Sequence, residues 1–270
     1  MDFQPDDRKN PRLLNCFGGG HRKNFSMRSV ENRLVTEAIF RAEDAPENLV
    51  VAVSTRGAAP EGAPSPTAFL ARRFARSLGY PELPLVRATQ VHGSRVVVVT
   101  EAPEPGEVAD AGECDALVTR LPGVGLAVQT ADCVPVLLAA DDAIGAVHAG
   151  WRGAAAGVAL RAVKAFLALV TNRETARAWL GPAIGPCCYE VGPEVAGRFP
   201  PRFSRPSNGD RFLLDLPGYV RWQLGEAGIR PEKIMQPEGC TFCGGERYAS
   251  YRRDGSKAGR MIALIARLSE

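Results

Sequence analysis

Three side chains of this sequence have the types and settings to hold a metal ion or to attack a substrate: His92, Cys133 and His148. The chain has only three histidines, and two of them stand where strand-like runs meet glycine. These are Gln90-Val91-His92-Gly93 and His148-Ala149-Gly150-Trp151-Arg152-Gly153. Strand ends that abut glycine turns project side chains into clefts and let backbone come close to a ligand. Cys133 is similarly placed, between apolar runs at 124–129 and 134–139. Two imidazoles and a thiolate form a borderline-soft set that suits Zn2+ or copper. Three protein ligands leave a fourth position for water or substrate, the catalytic rather than the structural arrangement of zinc. The same residues offer a second chemistry, with Cys133 as nucleophile and His148 as its base. Each residue alone also has a plainer role, the cysteine as a small core hydrophobe and each histidine as a backbone-bonded structural side chain. No short C-x-x-C or H-x-x-x-H frame ties the three together, so their convergence depends on the fold.

The elements that must position them are legible. Residues 49–54 (LVVAVS), 85–90, 95–100 (RVVVVT), 124–129, 134–139, 144–148, 178–180 and 259–266 read as strands. Helices are expected over 67–78, 153–170, 193–198, 216–227 and 231–234. The stretch TADCVPVLLAADDAIGAVHAGW reads as a strand, a turn at Asp141-Asp142 and a second strand, whose outer ends carry Cys133 and His148. GAAPEGAPSP, APEPGEVADAGECDA and GPAIGPCCYEVG read as loops. Strands and helices mix without strict alternation, which favours a layered α/β sheet protein over a Rossmann fold or a barrel.

Composition narrows the function classes. The 270 residues, 45% of them hydrophobic, are enough for a substantial core. No apolar run nears the ~20 residues that span a bilayer, and no secretory h-region precedes residue 30, so a soluble, cytoplasmic protein is expected. The whole net charge of +3 sits in residues 1–30, which hold six Lys/Arg and three Asp. The pI therefore belongs to this polar, Gly-rich stretch, which reads as disordered, and gives no support to nucleic-acid binding. Met27 marks an alternative start. Residues 31–270 read as one catalytic domain, with a monomer the simplest expectation. Seven dispersed cysteines point to thiols or metal ligands rather than a disulfide framework.

QVHG, TADCVPVLL, AVHAGWRG, GPAIGPCCYEVG and ERYASYRRDG followed by GRM together resemble the laccase-domain, YfiH-type family. Its members are described variously as multicopper polyphenol oxidoreductases, purine nucleoside phosphorylases and a peptidoglycan editing factor. The resemblance runs from about Val50 to the C-terminus. It implies an α/β (α+β) fold, a layered α/β/β/α sandwich with mixed sheets, and one Zn2+ held by His92, Cys133 and His148, the catalytic residues. Copper in some preparations is compatible with the same set. It also implies phosphorolysis of adenosine, inosine, guanosine and methylthioadenosine, adenosine deamination beside it, and a nucleoside and phosphate as the partners.

Substrate contacts are expected from Arg56, Arg72, Asp132 and Arg152. Arg152 stands at the expected start of the 153–170 helix, where free N–H groups hold anions; Asp132, beside Cys133, orients a ligand or accepts a substrate hydroxyl. The sequence departs from the family upstream. Thr55-Arg56 is kept, but GAAPEGAPSPTAFLARRF replaces the family's GGVS and SLN segments, and Arg72 or Arg73 stands in for the ENR arginine. Cys240-Thr241-Phe242-Cys243 is a lone C-x-x-C, read as a packed loop, and Cys187-Cys188 as packing a rigid loop near the site. Tyr248, Tyr251, Arg252 and Arg253 are candidates to close the cleft. Three readings compete with the nucleoside enzyme: a Cys–His amide hydrolase editing peptidoglycan precursors, a copper-dependent polyphenol oxidase, and a non-catalytic zinc-binding scaffold. Three histidines cannot ligate the several coppers of a multicopper oxidase.

Overall fold

The computed structural model of the protein describes residues 38–42, 45–58, 66–236 and 239–269. The expected disordered stretch at 1–30 and the alternative start at Met27 lie outside the described residues. In chain order the strands are β1 (Ala38–Arg41), β2 (Leu49–Ser54), β3 (Leu85–Thr89), β4 (Val96–Val98), β5 (Val108–Glu113), β6 (Ala116–Thr119), β7 (Val124–Thr130), β8 (Val134–Ala139), β9 (Ile144–Ala149), β10 (Arg177–Leu180), β11 (Glu190–Val191), β12 (Ser204–Pro206), β13 (Phe212–Leu214), β14 (Ile234–Met235) and β15 (Met261–Arg267). The α-helices are α1 (Pro66–Ser77), α2 (Trp151–Ala155), α3 (Val158–Leu169), α4 (Pro193–Ala196), α5 (Leu216–Glu226) and α6 (Tyr251–Asp254).

Two six-stranded mixed sheets stack face to face, in the orders β1-β2-β15-β7-β3-β5 and β14-β10-β8-β9-β6-β4. Helix α1 covers the outer face of the first sheet; α3 and α5 cover that of the second. This is the expected α/β/β/α sandwich. Because both faces of the central strands are covered, those strands are apolar throughout, and their alternation sorts side chains between layers. In β15, Ile262, Leu264 and Ala266 pack with α1 residues Leu70 and Phe74. Met261, Ala263 and Ile265 face the opposite way, into the core between the sheets with Leu126, Leu137, Ile144 and Trp179. Val134, Val136 and Leu138 of β8 pack with Val163 and Phe166 of α3.

The β8–β9 hairpin forms in the expected register, with Pro135 opposite His148 and Ala139 opposite Ile144. Its turn closes through the Ala140 N–H donating to the Ala143 carbonyl at 2.9 Å. Asp142 ties the turn to the end of α3, accepting from the Thr171 hydroxyl at 2.5 Å and from Arg120 at 2.7 Å.

Three expectations change. The helix over 153–170 is two helices, α2 beginning at Trp151 and α3 at Val158, separated where Gly157 adopts a left-handed φ of +80°. An L side chain resists that conformation, so glycine allows the break. The loop APEPGEVADAGECDA contains β5, an edge strand whose mixed composition hides a strand pattern, and its end is buried. A small third sheet, β11-β13-β12, was not expected because its strands are only two or three residues long.

Candidate functional site

The site is built where the two sheets part. β7 belongs to the first sheet and β8 to the second, so residues 131–133 carry the chain from one layer to the other. Within this crossing Asp132 takes a left-handed φ of +87°. Its carboxylate accepts the Thr241 hydroxyl at 2.6 Å and the Arg252 amide at 2.7 Å. Asp132 is thus a brace that fixes the backbone one residue before Cys133.

The Cys133 Sγ stands 3.9 Å from His92 Nε2. The ligand atoms of His92, Cys133 and His148 all lie within 4.8 Å of one another. His148, on β9, is buried at 3% exposure, whereas His92 lies at the open side. The two rings meet edge to face with centroids 4.8 Å apart.

Asp115, immediately before β6, joins the two histidines. It is fully buried, and its Oδ1 lies 2.8 Å from His148 Nδ1. Because the ionised carboxylate only accepts, Nδ1 carries the proton and Nε2 is left for the site. The same carboxylate accepts the amides of Val91 at 3.3 Å, His92 at 3.0 Å and Gly93 at 2.6 Å. These bonds hold His92 at a φ of +57°, a conformation that costs a non-glycine residue ~1–3 kcal/mol. One carboxylate therefore orients one histidine through its ring and the other through its backbone.

Glycines complete the enclosure. A Cβ on Gly150 would stand 2.8 Å from His92 Cδ2 and 3.1 Å from Cys133 Sγ. A Cβ on Gly153 would meet the Gly93 carbonyl oxygen at 2.5 Å. Both absences of a side chain let α2 lie directly against the His92 turn.

Electrostatics match this geometry. Burial works against charge on Cys133 and His148, but their mutual attraction overcomes it. The thiol is lowered to about 6, with a further contribution from His92. The imidazole is raised to about 9, with help from Asp115. Asp115 itself lies below the usual carboxylate range: burial opposes this, and the bonds from His148, Gly93 and Val91 outweigh it. Tyr189 is pushed up, first by burial and then by the nearby Cys133.

The donor set fits a metal ion. A tetrahedral zinc with Zn–N near 2.0–2.1 Å and Zn–S near 2.3 Å separates N and S by about 3.6 Å, close to the 3.9 Å found between His92 Nε2 and Cys133 Sγ. The Asp115–His148 pair is the carboxylate–imidazole arrangement that orients metal-binding histidines.

The remaining expected residues divide. Trp151, Arg152, Ala155, Ala156 and Arg198 line an open cleft of about 540 Å³ that begins next to Gly150 in the chain. The Arg152 guanidinium carbon lies 4.5 Å from the Trp151 ring centroid, and Arg198 approaches the same ring at 5.9 Å. The anion-binding end expected at Gly153 is absent as such, because α2 starts at Trp151 and is only five residues long. Arg56 bonds Asp254 and the Lys257 carbonyl, tying β2 to the C-terminal segment. Arg72 donates to the carbonyls of Pro81, Leu83 and Glu107, so its guanidinium anchors α1 rather than reaching the cluster. Arg253 is likewise held by the carbonyls of Thr241, Phe242 and Tyr248. Asp115 was missed: it stood in an assumed loop, and its one signal was an acid directly before the apolar run ALVT.

A family profile described as multi-copper polyphenol oxidoreductase laccase matches residues 64–268. The chain belongs to this family. It is 40% identical over 183 residues to the protein named purine nucleoside phosphorylase YfiH of Escherichia coli strain K12, covering 65% of this chain and 71% of that one. It is 39% identical over 203 residues to a protein named purine nucleoside phosphorylase of Xylella fastidiosa strain Temecula1, covering 71% and 75%. The crystal structure of YlmD from Geobacillus stearothermophilus superposes with a TM-score of 0.71 at 30% identity, covering 86% of this chain and all of that one. The laccase-like YfiH fold is therefore shown by sequence and by structure. Among the described residues, no helix is long and apolar enough to cross a membrane.

Proposed function

We propose that this protein is a zinc-dependent purine nucleoside phosphorylase that accepts adenosine, inosine, guanosine and methylthioadenosine and also deaminates adenosine. The observation that carries the reading is the convergence of His92, Cys133 and His148 on one point, buttressed by Asp115, in a chain whose relatives bear the phosphorylase name. His92, Cys133 and His148 are assigned as the metal ligands and catalytic residues. A zinc ion bound there with an open position would supply a polarised water and a Lewis acid beside the substrate.

The chain's own groups do the rest. Asp115 fixes the His148 tautomer, so that Nε2 faces the site, and holds the His92 turn. Asp132 and Thr241 set the position of Cys133. Arg152 and Arg198, on the open cleft, are assigned to phosphate, where charge-assisted donors hold the nucleophile. The Trp151 ring that both arginines approach offers the purine an aromatic surface in the same cleft. Cys133, with its thiol lowered to about 6, and His148, presenting Nε2, would hold the ion in the deprotonated forms that metal binding requires.

The test is to incubate zinc-analysed protein with adenosine, with and without phosphate, and to separate adenine, inosine and hypoxanthine. Adenine that depends on phosphate and inosine that does not are the expected products, and Cys133→Ala abolishes both. If the zinc-replete protein converts no nucleoside, the non-catalytic scaffold stands instead.

One observation favours a second reading. Cys133 lies close to His148, with its thiol lowered to about 6 and the imidazole raised to about 9, an arrangement that activates a cysteine nucleophile, as an amide hydrolase acting on peptidoglycan precursors would need. A zinc-held thiolate resists alkylation, so rapid modification of Cys133 in protein saturated with zinc would favour the hydrolase.

A further inference from the structure

The lone C-x-x-C of the sequence is not alone in space. Cys240 and Cys243 meet Cys187 and Cys188, 52 or more residues upstream, and the four sulfurs lie within 4.8 Å of one another. We propose that these four cysteines form a second, structural metal site that binds one zinc ion as a tetrathiolate. It is distinct from the His92–Cys133–His148 centre and shares no ligand with it.

Geometry carries the assignment. Four thiolates around one zinc at Zn–S distances near 2.3 Å form a tetrahedron with edges of about 3.8 Å. The Cys187 and Cys243 sulfurs stand 3.8 Å apart. That is nearly twice the ~2.05 Å of a disulfide. A multi-iron cluster would put its four thiolates on different metals and so spread them more widely than one ion does. The mutual 4.8 Å limit favours a single ion.

The backbone is arranged for this. Ala183 and Cys240 form a parallel bridge that lays the GPAIGPCC loop beside the CTFC loop, and the Thr241 amide donates to the Ala183 carbonyl at 3.0 Å. Cys187 and Cys188 occupy a turn, closed by the Cys188 and Tyr189 amides donating to the Gly185 carbonyl at 3.0 Å. A turn, unlike a strand, lets adjacent side chains face the same region. The CTFC segment folds back through the Gly244 amide donating to the Cys240 carbonyl at 2.8 Å. The Gly185 amide points at Cys240 Sγ at 3.2 Å. An amide donor to a cysteine sulfur is the kind of outer contact that orients a metal ligand. Gly185 leaves room for this approach: a Cβ there would lie 3.3 Å from Cys240 Cβ and 3.4 Å from Cys187 Sγ.

Four thiolates fill the zinc coordination sphere and leave no position for substrate, so the role is to hold structure. What it holds is visible. Thr241, between the two C-terminal cysteines, donates to Asp132, and Arg253 grips the Thr241 and Phe242 carbonyls. The site therefore locks the loop that braces the residue before Cys133.

Zinc counting on the full chain tests this. Wild-type protein is expected to carry two zinc ions per chain, Cys133→Ala one, and the Cys240→Ser/Cys243→Ser double variant one. If the His92 centre bound no metal, wild type and Cys133→Ala would both carry one and the double variant none, which separates failure of the functional reading from failure of this one. Should the double variant not fold, the wild-type chain still decides. Alkylation followed by peptide mass spectrometry is expected to find the four cysteines protected together and exposed together by a chelator. Alkylation of the four regardless of chelator, a disulfide between Cys187 and Cys243, or a Cys133→Ala protein free of zinc would overturn the site.

Discussion

Replacing Asp115 by Asn keeps the size of the side chain and removes its charge, so no cavity enters the comparison. In the wild type, one buried carboxylate accepts three amides and the His148 ring N–H. An Asn presents an NH2 group where one of these oxygens stood, and at least two of the four bonds are lost. At ~1.5–3 kcal/mol for each bond to a charged group, and in line with ~3–5 kcal/mol for breaking a buried ion pair, a loss of roughly 3–5 kcal/mol follows. For a chain of this size that lowers the melting temperature by on the order of 10 °C. The His92 turn loses the bonds that hold its left-handed backbone, and His148 loses the partner that fixes its tautomer. Zinc affinity at this centre should therefore fall by ~10–100-fold. Thermal unfolding of metal-free protein and zinc titration against a competing chelator measure the two effects separately. A variant that melts with the wild type and binds zinc equally well would refute the claim that Asp115 organises both histidines.

Other substitutions probe the enclosure and the hairpin. Gly150→Ala should leave the fold intact but push His92 and Cys133 apart, since its Cβ would stand 2.8 and 3.1 Å from them; activity should drop on the order of 100-fold, as initial rates would show. Gly157→Ala meets no atom within 4 Å yet must hold a φ of +80°, so it should destabilise by ~1–2 kcal/mol without altering zinc binding, as denaturant unfolding would measure. Asp142 is held below the usual carboxylate range: its partial burial opposes this, and the Thr171 bonds and Arg120 outweigh it. Its contribution is therefore present above the unfolded value of about 3.9 and fades as pH falls through the lower folded value. Asp142→Asn should be less stable than wild type at neutral pH, with the difference vanishing in strong acid, and unfolding curves at several pH values check this.

The sequence by itself determined the parts that local pattern can carry. Uninterrupted apolar runs such as LVVAVS could only be strands covered on both faces, and the Asp141-Asp142 turn forced the outer ends of β8 and β9 together. That hairpin alone brings Cys133 to His148, because fifteen residues are what two short strands and a turn require. The motif resemblance then supplied His92 from a separate segment. Tertiary structure decided what depends on groups distant in sequence. Asp115 had no local mark of importance, since its four donors come from residues 91–93 and 148. Arg72 offered a plausible charge, but only the fold shows that three carbonyls consume it. The four clustered cysteines illustrate the same limit. A C-x-x-C and a Cys-Cys pair each look incomplete in one dimension, and it takes the parallel Ala183–Cys240 bridge to set one beside the other.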